Sequence, residues 1–407
     1  MDVKPFLQEL LAVGHQPHPV VSVYLDTRWG DEDQRDRVRV FLHEQARLAA
    51  KRGGESLYRA IQAIETYTAG LIRARYDEWA TGTAIFCCEP LNFFRVLRTR
   101  LEFDPMRFVV DSRPHILPLV QALQEMPELL ICAVDSHGAH LFEVSLGIVD
   151  VDAQVTRPFP GRHGMGGWSQ LRYQKHIHRI LERNLKDSAV ALTGFADEIP
   201  RAMIVLAGTT PVASEFEKLL PDRIQKRVIG KIPYPSWSSE GELRETLFRS
   251  AMPLAQRWQR SRAVAARERA LEEAARDGLG VIGREQVVEA LNEGRVHRLL
   301  IDENYDETGS VCLSCDAVIG GEDGACRYCN GQLSTIPFSE ALARRAVRDD
   351  AEVVFIPPGA ELPNGDRIAA QLRHRRGFQG LHGEFAPSSR DQGWVEQHAT
   401  ESKGFIA

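Results

Sequence analysis

Several things are missing from this chain, and each absence narrows what it does. No uninterrupted apolar run reaches the roughly 20 residues that a helical membrane span needs. The opening residues, MDVKPFLQELLAVGH, lack the extended apolar core and small-residue cleavage site of a secretory signal. No P-loop string occurs, so NTP hydrolysis by the chain itself is not expected. Gly278-Leu279-Gly280 follows a helix-like stretch rather than a strand, which does not support a dinucleotide site. Internal repeats and low-complexity tracts are absent. Cysteine is scarce, 7 in 407 residues. Cys87 and Cys88 sit within TAIFCCEP and Cys132 within LLICAV, where they read as small buried hydrophobes rather than disulfide partners. These features together predict a cytoplasmic protein with no membrane partner.

What is present is ordinary in bulk, 43% hydrophobic and 26% charged, as in a globular protein. The length exceeds one compact core, so two or three domains are expected. Residues 1–127 read as an α/β recognition or docking domain. VVSVYLD is strand-like, residues 33–52 place Val38, Phe41, Leu42, Ala46 and Ala49 on one helical face, and 57–76 is a second helical stretch. TGTAIFCCE, FFRVLRTR and RFVVD read as strands. Residues 128–255 begin with a hairpin turning at Ser136-His137-Gly138. Strand and helix signals then alternate, which suggests a mostly parallel or mixed sheet flanked by helices. A long helix over 242–277 follows, with Pro253 expected to interrupt or kink it. Its arginines at 257, 260, 262, 267 and 269 are read as a solvated face, with contact to RNA as the alternative. Residues 256–385 form a third α/β unit around a cysteine-bearing insert, 310–332, and 386–407 read as a poorly ordered tail.

Charge is unevenly spread. Residues 157–186 hold Arg157, Arg162, Arg172, Lys175, Arg179, Arg183 and Lys186 against the single acid Glu182. That island is +6 in a chain of net charge −6, so the remainder carries −12. A basic island in an acidic protein is a polyanion footprint, and nucleic acid is the obvious polyanion. The island has two parts. The first is a loop, 161–170, with glycine at 161, 164, 166 and 167; the second is a helix from about 171. Arg172, Lys175, Arg179, Arg183 and Lys186 recur every three or four residues and so share a helix face. The plain alternative is a solvated loop before an ordinary amphipathic helix.

The remaining four cysteines form two pairs, Cys312-x-x-Cys315 and Cys326-x-x-Cys329, ten residues apart. Each pair puts two thiolates on one tight knuckle, and two knuckles make a tetrahedral S4 site for zinc. Four thiolates leave no open position for water, so the zinc is expected to be structural. It would supply on the order of 10 kcal/mol of the insert's folding energy.

The string Gly166-Gly167-Trp168-Ser169-Gln170-Leu171-Arg172-Tyr173 resembles the loop and helix start of the archaeo-eukaryotic peptide-chain release factors. There, Gly-Gly-Gln-Ser precedes a similar Leu-Arg-aromatic step. Gly166, Gly167, Ser169, Leu171, Arg172 and Tyr173 fall on matching positions. Trp168 stands where the family has its glutamine, and Gln170 follows two places later. EALNEGRVHRLLID, the cysteine insert, a helix and VVFIP together are similar to the third domain of archaeal release factors. On these motifs the chain is identified as a bacterial member of the release factor and pelota superfamily.

That resemblance implies a mixed α/β (α+β) fold in three domains. The middle domain would be ribonuclease H-like and the third L7Ae-like with a zinc-ribbon insert. It implies a monomer that enters the ribosomal A site in a tRNA-like shape, meeting rRNA and peptidyl-tRNA, with a translational GTPase as a further partner. Gly166, Gly167 and Gln170 are then the expected catalytic residues for peptidyl-tRNA ester hydrolysis. Paired glycines let backbone N–H groups enter a crowded RNA pocket, and donors there face the developing oxyanion. Arg162, Trp168 and the five basic residues of the helix are the expected RNA contacts, with Trp168 suited to stacking on a base. Three activities stay open: an esterase that releases stalled peptides, a non-catalytic ribosome occupant for rescue or hibernation, and a free tRNA- or RNA-binding protein.

Overall fold

The computed structural model describes residues 3–31, 33–51, 53–74, 80–145, 148–156, 169–234, 239–321 and 324–376. The first segment contains α1 (Val3–Ala12), β1 (Val20–Asp26), α2 (Gln34–Ala50), α3 (Glu55–Arg73), β2 (Gly82–Cys88), β3 (Phe93–Thr99), β4 (Arg107–Asp111) and α4 (Leu117–Glu125). Its sheet has the order β3-β2-β1-β4, antiparallel throughout. β1 is buried along its whole length because both faces of the sheet are covered. Val21, Val23 and Leu25 meet α2 and α3, where Val38, Leu42 and Ala46 are buried as their spacing predicts. Tyr24 and Phe86 point the other way, towards α1 and α4. Neither α1 nor α4 stands out as a helix in the sequence pattern. The Phe6, Leu7 and Leu10 positions that α1 buries have helical spacing, but too few turns to stand out.

The middle segment contains β5 (Leu129–Val134), β6 (Gly138–Ser145), β7 (Ile148–Thr156), α5 (Ser169–Glu198), β8 (Met203–Ala207), α6 (Thr210–Leu219), α7 (Asp222–Gln225), β9 (Val228–Ile232) and α8 (Glu240–Ala275). The sheet order is β7-β6-β5-β8-β9. β5 to β7 form an antiparallel meander, and β8 and β9 run parallel to β5. The unbroken apolar run of β5 has the same cause as that of β1. Leu129, Ile131 and Ala133 pack towards α8, while Leu130, Cys132 and Val134 pack towards α5 and α6.

α8 runs unbroken through Pro253, against the expectation of an interruption there. An internal proline costs roughly 3 kcal/mol. Here the ring is exposed, and the helix is held on both sides of it. Leu243, Leu247, Ala251, Met252 and Ala255 pack on the middle sheet. Ala263, Ala266 and Ala270 pack on the third. The boundary expected at 255/256 therefore falls inside a helix that serves both sheets. Two of its arginines make contacts to the last segment. Arg262 pairs with Glu352 at 2.5 Å, and Arg267 donates to the Glu361 carbonyl at 2.7 Å.

The last segment contains β10 (Gly280–Ile282), α9 (Arg284–Asn292), β11 (Val296–Asp302), β12 (Thr308–Cys312), β13 (Val318–Ile319), β14 (Leu333–Pro337), α10 (Phe338–Arg348), β15 (Glu352–Ile356) and β16 (Ile368–Leu372). Its main sheet is β10-β16-β11-β15, and the insert is a separate antiparallel sheet, β13-β12-β14. Gly280 lets β10 lie against α8. A Cβ there would sit 2.2 Å from the Ala270 carbonyl oxygen. The tail expected at 386–407 lies outside the described residues.

The first and third segments share one apolar core, with Phe6, Tyr24, Phe86 and Leu119 packed alongside Val287, Leu342 and Phe338. Glu340 of α10, 1% exposed, closes the N-terminus of α4 through the N–H groups of Ile116 and Leu117. His115 Nδ1 lies 3.2 Å from the same carboxylate, and the His115 carbonyl accepts from the Tyr24 hydroxyl at 2.6 Å.

A basic helix face and a four-thiol centre

The segment around the Gly-rich loop begins with the hairpin. Asp135 Oδ1 accepts the N–H groups of His137 (2.7 Å) and Gly138 (3.1 Å), fixing the turn between β5 and β6. Ser136 and His137 therefore act as a connector. The Ser136 carbonyl accepts from Asn184 Nδ2 at 2.9 Å, which ties α5 to this turn. Ser188 Oγ donates to the Asn184 carbonyl at 2.8 Å. Arg227 donates to the carbonyls of Ala196, Ile199 and Ala202, holding the far end of α5. α5 is thus anchored at its middle and its end.

α5 begins at Ser169 and runs for 30 residues, longer at both ends than its sequence pattern suggested. Gln170 is therefore in the first helical turn. Arg162, Gly166, Gly167 and Trp168 lie outside the described residues. At 3.6 residues per turn, positions 172, 175, 179, 183 and 186 fall within an arc of about 80°. Arg179, Arg183 and Lys186 are exposed. A separate face of the helix, centred about 110° round from that arc, buries Leu185, Ala189, Leu192 and Ala196 against the sheet. Lys186 is paired with Glu182 at 2.7 Å. Arg179 and Arg183 have no ion-pair partner among the described residues. His176 and His178 are exposed on the same helix, with no metal-binding group of residues around them among those described.

The second site is the insert. The sulfur atoms of Cys312, Cys315, Cys326 and Cys329 all lie within 4.8 Å of one another. Cys312 and Cys329 are 3.4 Å apart and Cys315 and Cys326 3.6 Å. A disulfide would bring two sulfurs to about 2.05 Å. These separations instead approach the roughly 3.8 Å edge of a tetrahedron with metal–sulfur bonds of about 2.3 Å. The four thiols are positioned to hold a metal ion. Burial raises the Cys312 thiol. The N–H groups of Cys315 and Ser314 and the neighbouring sulfurs outweigh that and bring it down to about 7, while burial and the same sulfurs raise Cys315, so without a metal the cluster shares its protons unevenly.

The two knuckles repeat one backbone pattern. The N–H of Asp316 donates to the Cys312 carbonyl at 3.0 Å, and that of Asn330 donates to the Cys326 carbonyl at 2.7 Å. Both Asp316 and Asn330 are left-handed, at φ 62° and 59°. In turn Cys312 donates to the Ala317 carbonyl and Cys326 to that of Gly331. The full repeat is therefore Cys-x-x-Cys-Asp/Asn-Ala/Gly, and its last two positions were missed in the sequence. Aspartate and asparagine are the side chains that best tolerate left-handed backbone, which was the available signal. Gly331 is needed for closeness: a Cβ would lie 2.6 Å from Ser314 Oγ in the other knuckle. Asn292 at the end of α9 pairs with both the N–H and the carbonyl of Val318, fastening the insert to the main sheet.

Cys87, Cys88 and Cys132 are buried. Burial pushes the Cys87 thiol up to about 11 and raises that of Cys132 further, which suits inert packing. No helix among the described residues is long and apolar enough to cross a membrane.

Residues 114–253 match bacterial archaeo-eukaryotic release factor family 10. They hold the middle sheet, α5 with its basic face, and the first part of α8. Over that stretch, about a third of its length, the chain is similar to this family. Peptide chain release factor subunit 1 of Archaeoglobus fulgidus is 27% identical over 217 residues, 51% of this chain and 52% of that protein. The same subunit of Methanopyrus kandleri is 29% identical over 217 residues, 52% of each. The match thus spans about half the length of these curated relatives. Among solved structures, Archaeoglobus fulgidus Pelota is similar at a TM-score of 0.35 and 16% identity, over 69% of this chain and 75% of that one. The matched segment includes the glycine pair at 166 and 167, followed by Trp168.

Proposed function

We propose that this chain enters the ribosomal A site as a tRNA mimic and releases stalled nascent peptides by hydrolysing the peptidyl-tRNA ester. The observation that carries the reading is the exposed arc of α5, with Arg179 and Arg183 facing solvent on the helix whose first turn holds Gln170, in the segment that matches the release factor family. Such an arc lies naturally along RNA phosphates, and its affinity is salt-dependent. The loop would then meet the peptidyl-transferase centre.

There, the oxygen of a water molecule bonds to the ester carbonyl carbon. The bond from that carbon to the tRNA ribose oxygen breaks, and a proton passes to the leaving oxygen. Backbone N–H groups at Gly166 and Gly167 would stabilise the oxyanion, and Gln170 would orient the water. A non-catalytic ribosome occupant for rescue or hibernation is the second reading. Trp168, in place of the family glutamine, favours it, because an indole stacks on a base but orients no water. On either reading the protein works as a monomer, with a translational GTPase as a candidate delivery partner.

The same reading extends to the fold. The order β7-β6-β5-β8-β9, a meander followed by two parallel strands, supports a ribonuclease H-like middle domain. The sheet β10-β16-β11-β15, with α9 and α10, is the candidate L7Ae-like domain. The proposed domains are 1–127, 128–255 and 256–385. The metal at the four thiols is proposed to be zinc, held by Cys312, Cys315, Cys326 and Cys329. Four thiolates close the sphere, so it would shape the insert and take no part in hydrolysis.

Co-sedimentation with ribosomes across a salt series, beside binding to isolated tRNA, tests the proposal. Ribosome binding that falls steeply with salt, and exceeds tRNA binding, is the expected result. Equal affinity for both would point to a free RNA-binding protein.

A further inference from the structure

The two knuckles differ at one informative position. Asp316 and Asn330 hold the same left-handed backbone and make the same N–H bond back to the first cysteine of their pair. The knuckle itself therefore does not require a carboxylate. The carboxylate at 316 is used elsewhere: Oδ1 accepts from Arg113 and Oδ2 from Arg348. Arg113, its side chain 5% exposed, opens the stretch that leads into α4. The next residues of that stretch are held by α10. Arg344 donates to the Pro114 carbonyl, and Glu340 receives the N–H groups of Ile116 and Leu117. One side chain, directly after the ligand Cys315, thus joins the thiol centre to the link between the first sheet and α4.

We propose that Asp316 couples metal binding at the four-thiol centre to docking of residues 113–117. The loaded knuckle holds Asp316 between Arg113 and Arg348. Loss of the metal frees the knuckle, removes that clasp and loosens the 113–117 link. The coupling is reciprocal, so docking also raises metal affinity. It rests on the reading of the four thiols as a metal site.

The test uses the full chain in four samples: wild type and Asp316→Asn, each loaded with zinc and stripped by a chelator. Zinc content and amide hydrogen exchange are measured on all four. Asparagine is the residue that the second knuckle already uses, so Asp316→Asn is expected to keep zinc stoichiometry and protection within the insert. In wild type, stripping is expected to speed exchange at 113–117 by roughly tenfold, with β5 unchanged. In Asp316→Asn, exchange there is expected to be fast in both samples. Equal exchange at 113–117 in loaded and stripped wild type overturns the coupling. So does a metal dependence that survives in Asp316→Asn, or a loss of protection that spreads to β5 and β8. A chain that takes up no zinc overturns the metal reading and the coupling with it.

Discussion

Glu340 on α10 accepts the backbone N–H of Leu117, the first residue of α4, at 2.6 Å. A carboxylate at a helix N-terminus satisfies donors that the helix cannot satisfy itself. Here it does so 1% exposed, across the seam between the first and third segments. Glu340→Ala leaves the N–H groups of Ile116 and Leu117 without their acceptor and removes the carboxylate that Arg344 pairs with at 3.6 Å. The expected loss is about 3–5 kcal/mol by urea denaturation. Glu340→Gln keeps one acceptor oxygen and is expected to lose less.

Arg179 and Arg183 are exposed, and substituting them is expected to leave stability within about 0.5 kcal/mol. Arg179→Glu with Arg183→Glu should instead weaken ribosome binding. The slope of log affinity against log salt should fall by roughly 1.5–2, one step for each lost phosphate contact. Lys186→Ala should do less, since Glu182 already holds that ammonium at 2.7 Å.

Asn184 joins α5 to the β5–β6 turn through one side-chain hydrogen bond at 2.9 Å. Asn184→Ala is expected to cost about 1 kcal/mol. It should also raise hydrogen exchange at Ser136 and His137 more than at β8.

Gly280 and Gly331 are close-approach positions of different kinds. At Gly280 a Cβ meets the backbone of α8, which cannot swing aside. Gly280→Ala is expected to lower stability by about 1–3 kcal/mol. At Gly331 the added Cβ would meet the Ser314 side chain and, at 3.1 Å, Cys329 Sγ. Gly331→Ala should weaken metal retention in a chelator competition while leaving the melting of the remaining chain unchanged.

The strands were the most legible part of this molecule. VVSVYLD, TGTAIFCCE and RFVVD are short runs with strand pattern, and each holds a strand where its pattern places it. The Cys-x-x-Cys pairs likewise brought four sulfurs together, because that spacing leaves little conformational choice. What escaped was long-range or ambiguous. α4 begins at a proline-containing turn with Glu340, 223 residues away, completing its first turn, and no local pattern reports such a partner. Pro253 read as an interruption or a kink because a proline weakens an isolated helix; the helix is not interrupted there, and the sequence does not show that α8 is packed on both sides of it. The α5 face was visible as a charge period, but its anchoring through Asn184 and Arg227 was not. Both are polar residues whose partners are backbone carbonyls.

The most direct test of the central claim is peptide release from purified stalled ribosomes bearing labelled peptidyl-tRNA, comparing wild type with Gln170→Ala. An esterase acting through Gln170 predicts release by wild type and a loss of about 100-fold or more in the variant. Release at the wild-type rate by Gln170→Ala, or ribosome binding by wild type with no release, would contradict it.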